Sequence, residues 1–170
     1  MSICSFTHKA HMSSLEIAEL YNLMEREGAA EFVLYEGGVT SWQTWVEYIV
    51  NSRCWLVRCT HPELGISGLW WLNGFIGRTA MIHFCALGPR TLKEKIDEGR
   101  QAMKWLQELG CIDSVYGLTP KPYRNVWPYM EGLGFEKQGA LPGACYMSRF
   151  GRHVDGIISV LDLSKYNTKE

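Results

Sequence analysis

The sequence predicts an α+β fold of three layers (α/β three-layer), in which a mixed, mostly antiparallel sheet is flanked by helices in the order β-α-α-β-β-β-α-β-α-β-β. Three observations predict it. Apolar residues recur at helical spacing in three segments that begin after Ser or Thr, two of which stop at Gly. Three β-rich runs in the middle of the chain are joined by short turns, which makes them antiparallel neighbours. A single strand–helix–strand crossover, from about residue 78 to 118, then adds a right-handed parallel unit.

The elements follow in order. "ICSF" is a short first strand. "SSLEIAELYNLMEREG" sets Leu15, Ile17, Leu20, Tyr21 and Met24 on one helical stripe, with Ser13 or Ser14 as cap and Gly28 as stop. After a Gly-Gly turn, Thr40 or Ser41 caps a second helix whose stripe is Trp42, Trp45, Val46 and Ile49. "RCWLVRCT", "LGISGLWWLNG" and "GRTAMIHFCAL" form a meander separated by "HPE" and "NGFIG", with Asn73-Gly74 as its strongest turn signal. In "TLKEKIDEGRQAMKWLQELG", Leu92, Ile96, Met103, Leu106 and Leu109 mark one helical face, and Gly110 ends it. The strand "CIDSVYGLTP" stops at Pro120 and Pro122. A short helix near "RNVWPYMEGLG" and two strands, "FEKQGALPGACYMSRF" and "VDGIISVLDL", complete the chain.

Composition narrows the function classes. Lys and Arg number 17 against 18 Asp and Glu, so nothing draws the chain to nucleic acid or to an anionic membrane. No apolar run approaches the roughly 20 residues of a membrane span, and the start of the chain lacks a signal-peptide pattern. The expected location is therefore the cytoplasm. The six cysteines contain no C-x-x-C pair and read as buried, reduced thiols. Seven Trp and eight Tyr suggest a crowded core, a cleft or a contact surface. Adjacent Trp70 and Trp71 face opposite ways on a strand, so at most one of them lines a given cleft. His8 and His11 lack companion ligands, and no metal site is expected.

The element order, together with "YMEGLGFEKQGALPGACYMSRFGRHVDGIISVLDL", resembles the GNAT superfamily of acyl-CoA-dependent N-acyltransferases. The likeness is nearest to members that modify ribosomal protein termini or polyamines. Their chains also end in a helix, "LGF", E-x-x-G and a late Asp before the final strand; here these are Leu133-Gly134-Phe135, Glu136 to Gly139, and Asp155. The layout covers nearly all of the chain, and the sequence likeness lies mostly in residues 116–163. The chain also resembles acyltransferase-like proteins carried by tailed bacteriophages, which are compact and Trp-rich with an altered cofactor loop. The resemblance implies a single GNAT-like domain over 1–170, acetyl-CoA as cofactor, and an acceptor that is a small-molecule amine or a protein N-terminus or lysine. A homodimer, a virion partner and, for a phage protein, the host cytoplasm belong to the same set of expectations.

In the family, the end of the fourth strand and the next helix bind CoA, which assigns Cys85, Ala86 and Leu87 to the pantetheine. A Q/R-x-x-G-x-G/A loop wraps the pyrophosphate, where helix N–H groups and the dipole accept negative charge. Arg90 takes the Q/R position, but Lys93 and Lys95 stand where the family has glycines. Two readings follow: side-chain charge from Arg90, Lys93 and Lys95 meets the phosphates, or these cations form a solvated helix face with Glu94, Asp97 and Glu98. Tyr123 falls where relatives carry an Asn that contacts the cofactor region, and Asn125 lies two residues later.

Thioester aminolysis needs a base for the amine and a proton for the departing thiolate. His83 is the base candidate: in "AMIHFC" it shares a strand face with Met81 and Cys85, and an imidazole near neutrality suits the task. Its alternative is a hydrogen-bonded histidine packed under a helix. The tyrosine that supplies the acid in relatives falls on Met130, so Tyr129 is the acid candidate, re-aimed by a kink at Pro128 unless that proline sits in the first turn. Cys85 beside His83 reads as core rather than nucleophile. The leading function is acetyl transfer to a primary amine within a ternary complex; the alternative is a non-catalytic GNAT-like structural or interaction protein.

Overall fold

The helix caps form where the local sequence places them. The structure, a computed structural model, describes residues 3–166. Helix α1 (Ser14–Arg26) opens with a capping box, in which the Ser13 hydroxyl accepts from the Glu16 N–H and the Glu16 carboxylate accepts from the Ser13 N–H. Ile17, Leu20, Tyr21 and Met24 are buried as expected, but Leu15 in the first turn faces solvent. A one-turn helix, α2 (Ala30–Val33), was not anticipated. Helix α3 (Trp42–Asn51) starts at Ser41, boxed with Thr44. Its Trp45 is fully buried and donates its indole N–H to the Ile17 carbonyl at 3.1 Å, which ties α3 to α1.

The strands are β1 (Ser5–His8), β2 (Trp55–His61), β3 (Gly65–Ile76), β4 (Thr79–Ala86), β5 (Ser114–Pro120), β6 (Glu136–Met147) and β7 (Arg152–Asp162). They form one seven-stranded sheet in the order β1-β2-β3-β4-β5-β7-β6. β1 and β2, β2 and β3, and β5 and β7 pair antiparallel; β4 and β5 pair in parallel, with Thr79 to Met81 opposite Ser114 to Tyr116. The expected crossover runs through α4 (Leu92–Glu108), capped by Thr91 boxed with Glu94. Its buried face centres on Glu98, Gly99, Ala102, Met103 and Leu106, while Leu92 and Leu109 at its two ends are exposed.

Asn73-Gly74 does not make the turn the sequence predicted. β3 continues through both residues, and the chain reverses at Gly77-Arg78, where Gly77 has φ +60°. The demand on Gly74 is one of space as well as conformation: its φ is +55°, and a Cβ there would lie 3.0 Å from the Tyr116 hydroxyl, which donates to the Gly74 carbonyl at 3.4 Å. Asp155 likewise lies inside β7 rather than before it, paired with Lys121 at 3.0 Å. Of the cysteines, five are buried and Cys111 is exposed, contrary to expectation, because it follows the C-terminal glycine of α4 in a short surface connection.

Cα packing divides the chain into two compact units. The first comprises residues up to Asn73 with His83–Pro89 and Tyr146–Arg152; its core gathers Leu20, Met24, Trp45, Ile49, Leu56 and Trp71. The second comprises Gly74–Ile82, Arg90–Cys145 and the chain from His153. Helix α5 (Trp127–Leu133) belongs to it, with Pro128 in the first turn, where no N–H is needed and no kink follows. Gly134 ends α5 in the left-handed conformation at φ +89°. At one end of the sheet, β6 is exposed from Glu136 through Gly143 and carries Pro142 within the strand.

Candidate active site

The first unit holds a cavity of about 220 Å³. Val33, Leu34, Val39 and Trp71 make its apolar walls, and Tyr48, Asn73 and His83 its polar side. Glu36 is the one carboxylate among the described residues that line it. Strand alternation explains the grouping: Trp71 and Asn73 are two apart on β3 and share a face, and helix α3 brings Tyr48 one turn after Trp45. The segment after α2 is fastened by the Ser148 N–H, which donates to the Tyr35 carbonyl at 2.9 Å.

His83 is half-buried and stacked flat on Trp71, with ring centroids 5.0 Å apart and planes within 3°. Its Nε2 lies 3.2 Å from Asn73 Oδ1, and Asn73 Nδ2 donates to the Tyr48 hydroxyl oxygen at 2.8 Å. With the amide N–H turned to Tyr48, Oδ1 faces Nε2, which therefore carries the ring proton and leaves Nδ1 as an acceptor. Burial pushes the His83 pKa down to about 4. The near-neutral imidazole expected from the sequence is thus corrected: desolvation disfavours the charged ring. Burial also raises the Tyr48 phenol; the Asn73 hydrogen bond offsets part of this, and charge on Cys54 and Glu36 adds to it.

The residues expected at the cofactor are placed differently from one another. Cys85 and Leu87 are buried in the core of the first unit, and the Leu87 N–H donates to the Ser67 carbonyl at 2.8 Å, so it is engaged within the protein. Ala86 is half-buried, and the Gly88 N–H donates to a Glu27 carboxylate oxygen at 3.2 Å. In the second unit Arg90 is not on a solvated face. Its guanidinium grips Glu98 with Nη1–Oε2 at 2.6 Å and Nη2–Oε1 at 3.3 Å, and the two side chains are only 6% and 5% exposed. Lys93 is exposed and Lys95 half-buried. Tyr123 is half-buried and Asn125 exposed, flanking and within the 3-10 turn Arg124–Val126.

Tyr129 is buried on α5, and its hydroxyl lies where a Cβ on Gly99 of α4 would meet it at 2.6 Å. The phenol therefore packs into the α4–α5 contact, and no kink redirects it. Met130, where the resemblance leads one to expect a tyrosine, is 1% exposed and packs against Gly117 of β5.

This course of the chain has known parallels. The structure superposes on the spermidine N-acetyltransferase of Vibrio cholerae, in complex with CoA and spermine, with a TM-score of 0.75 at 14% identity over 98% of this chain and 99% of that one. The ribosomal-protein-S5-alanine acetyltransferase of Vibrio fischeri gives 0.71 at 11% identity over 99% and 97%. An N-acetyltransferase of Staphylococcus aureus Mu50 gives 0.72 at 10% identity over 96% and 99%. The fold is the GNAT acetyltransferase fold. No protein-family model and no curated protein matches the chain.

Sequence reasoning named His83 and did not name the residues that the structure sets beside it. The sequence presents Asn73 as a turn residue, and neither Tyr48 nor Glu36 carries a local signal of its place in the cavity. One signal was present: alternation on a single strand put Trp71 and Asn73 on the same face. Trp71 does line the cavity, whereas Trp70 tilts against Phe6, with ring centroids 5.4 Å apart.

Proposed function

We propose that the protein is an acyl-CoA-dependent N-acyltransferase that moves the acetyl group of acetyl-CoA onto a primary amine within a ternary complex, with residues 1–170 acting as one domain. The observation that carries this reading is the Tyr48–Asn73–His83 array in the wall of an apolar cavity, on a chain with the acetyltransferase fold. Two of the solved neighbours are named for spermidine and for an alanine of ribosomal protein S5, which supports an amine acceptor. The first was solved with CoA, which supports the donor.

The donor set of α4 fits a polyphosphate in part. Its capping box engages the Thr91 and Glu94 N–H groups and leaves those of Leu92 and Lys93, at the start of a 17-residue helix, without intrahelical partners. These N–H groups, with the ammonium groups of Lys93 and Lys95, would hold the cofactor; Arg90 is committed to Glu98. Bound there, acetyl-CoA would supply the acyl group activated as a thioester. For the acceptor, Asn73 fixes the imidazole through Nε2–H, and Nδ1 of His83 is the atom that can receive a proton as the amine nitrogen becomes acidic during attack. Because burial keeps the ring neutral at pH 7, that site is open rather than already protonated.

The test is thermal shift with millimolar acetyl-CoA, followed by amine-dependent release of free thiol. A shift and release are expected; the absence of both overturns the reading. A second reading, a non-catalytic interaction protein on the same fold, is favoured by the Arg90–Glu98 pair, which removes a cation from the phosphate loop.

A further inference from the structure

We infer that the acceptor of this cavity is a monoamine with a compact apolar body, its single ammonium group facing Glu36 and its body lying against Val33, Leu34, Val39 and Trp71. The inference rests on the transferase reading above and names its substrate class.

Charge decides the number of amino groups. Among the described residues, the lining includes one carboxylate, Glu36, and no Lys or Arg. His83 is neutral at pH 7 and hydrogen-bonded to Asn73, so it adds no charge of its own. One negative group balances one ammonium. The valine, leucine and indole walls offer the second and third ammonium groups of a polyamine no carboxylate to pair with. Glu36 is an exposed member of the lining, and its charge adds a small part to the rise of the Tyr48 phenol.

Volume decides the size of the body. A cavity of about 220 Å³ holds roughly seven non-hydrogen atoms, at about 30 Å³ for a water-sized group. That suits a phenyl ring on a short linker or a branched alkyl chain. The indole face of Trp71 offers such a body an aromatic contact, although part of that face is already stacked with His83.

The experiment compares 2-phenylethylamine, 3-methylbutylamine and spermidine in thiol release with acetyl-CoA, and measures 2-phenylethylamine binding by calorimetry on wild type and Glu36→Gln. The two monoamines are expected to exceed spermidine in kcat/KM, and Glu36→Gln to weaken 2-phenylethylamine binding by about two- to fivefold. Faster turnover of spermidine, or unchanged binding in Glu36→Gln, overturns the substrate class while leaving the transferase reading intact. Glu36-dependent binding with no thiol release from any amine overturns the transferase reading and keeps the cavity assignment. Neither binding nor release overturns both.

Discussion

Lowering the pH from 7 to 5 is expected to destabilise the wild-type protein more than a His83→Gln variant. In the folded chain burial holds the imidazole at about 4, against an ordinary value of 6.5. Between those values the unfolded chain takes up a proton that the folded chain refuses, so stability falls as pH drops through this window. Above 6.5 both states are neutral and the effect vanishes. At about 1.4 kcal/mol per pH unit, the full gap is worth roughly 3 kcal/mol, of which about 2 kcal/mol is lost by pH 5. Glutamine cannot take up the proton, yet its amide can still donate to Asn73 Oδ1. Urea unfolding followed by far-UV circular dichroism at both pH values gives the free energies. Carboxylates shared by the two proteins cancel in the comparison. If the two proteins lose stability in parallel, to within roughly 0.5 kcal/mol, the buried neutral imidazole is refuted.

Replacing Arg90 with Met removes the buried ion-pair partner of Glu98, and a loss of about 3–5 kcal/mol is expected by chemical denaturation. The double variant Arg90→Met/Glu98→Leu should recover most of that and keep the thermal shift with CoA; losing the shift in a folded double variant would return Arg90 to the phosphates. Gly134→Ala forces a side chain into the left-handed region, and about 1–2 kcal/mol should be lost even though the added Cβ meets only Leu161 Cδ1, at 3.6 Å. Tyr48→Phe strips Asn73 Nδ2 of its acceptor, with an expected loss of about 1–2 kcal/mol and slower amine-dependent thiol release. In native protein at pH 8, a maleimide should modify Cys111 quickly and Cys54 hardly at all, since burial pushes the latter up to about 11; mass spectrometry of the labelled peptides decides this.

Much of the fold was legible because its signals are local. Ser13 with Glu16, Thr91 with Glu94 and the glycine after Leu133 each declare a helix end within four residues. The meander and the crossover could be read from runs of β-branched and aromatic residues and from the length of the helix between them. What resisted reading depends on partners far along the chain. Asn73 looks like a turn residue until Tyr48 and His83 claim its amide, and Gly74 until the Tyr116 phenol approaches it. Arg90 looks like a phosphate ligand or a surface cation because nothing in its neighbourhood announces that Glu98 turns inward to meet it. His83 was found as a candidate, but its proton affinity is set by burial against Trp71, a property of the folded state alone.

The exposed strand β6 has a consequence for solubility. It closes one end of the sheet, and the outer rim of such a strand is a template on which another extended chain could add itself. Here Pro142 deletes an amide hydrogen partway along, and Glu136 and Lys137 put both signs of charge at the start of the strand. An incoming strand would find an interrupted ladder and charges to desolvate. The same residues that leave β6 uncovered make it a poor seed for aggregation.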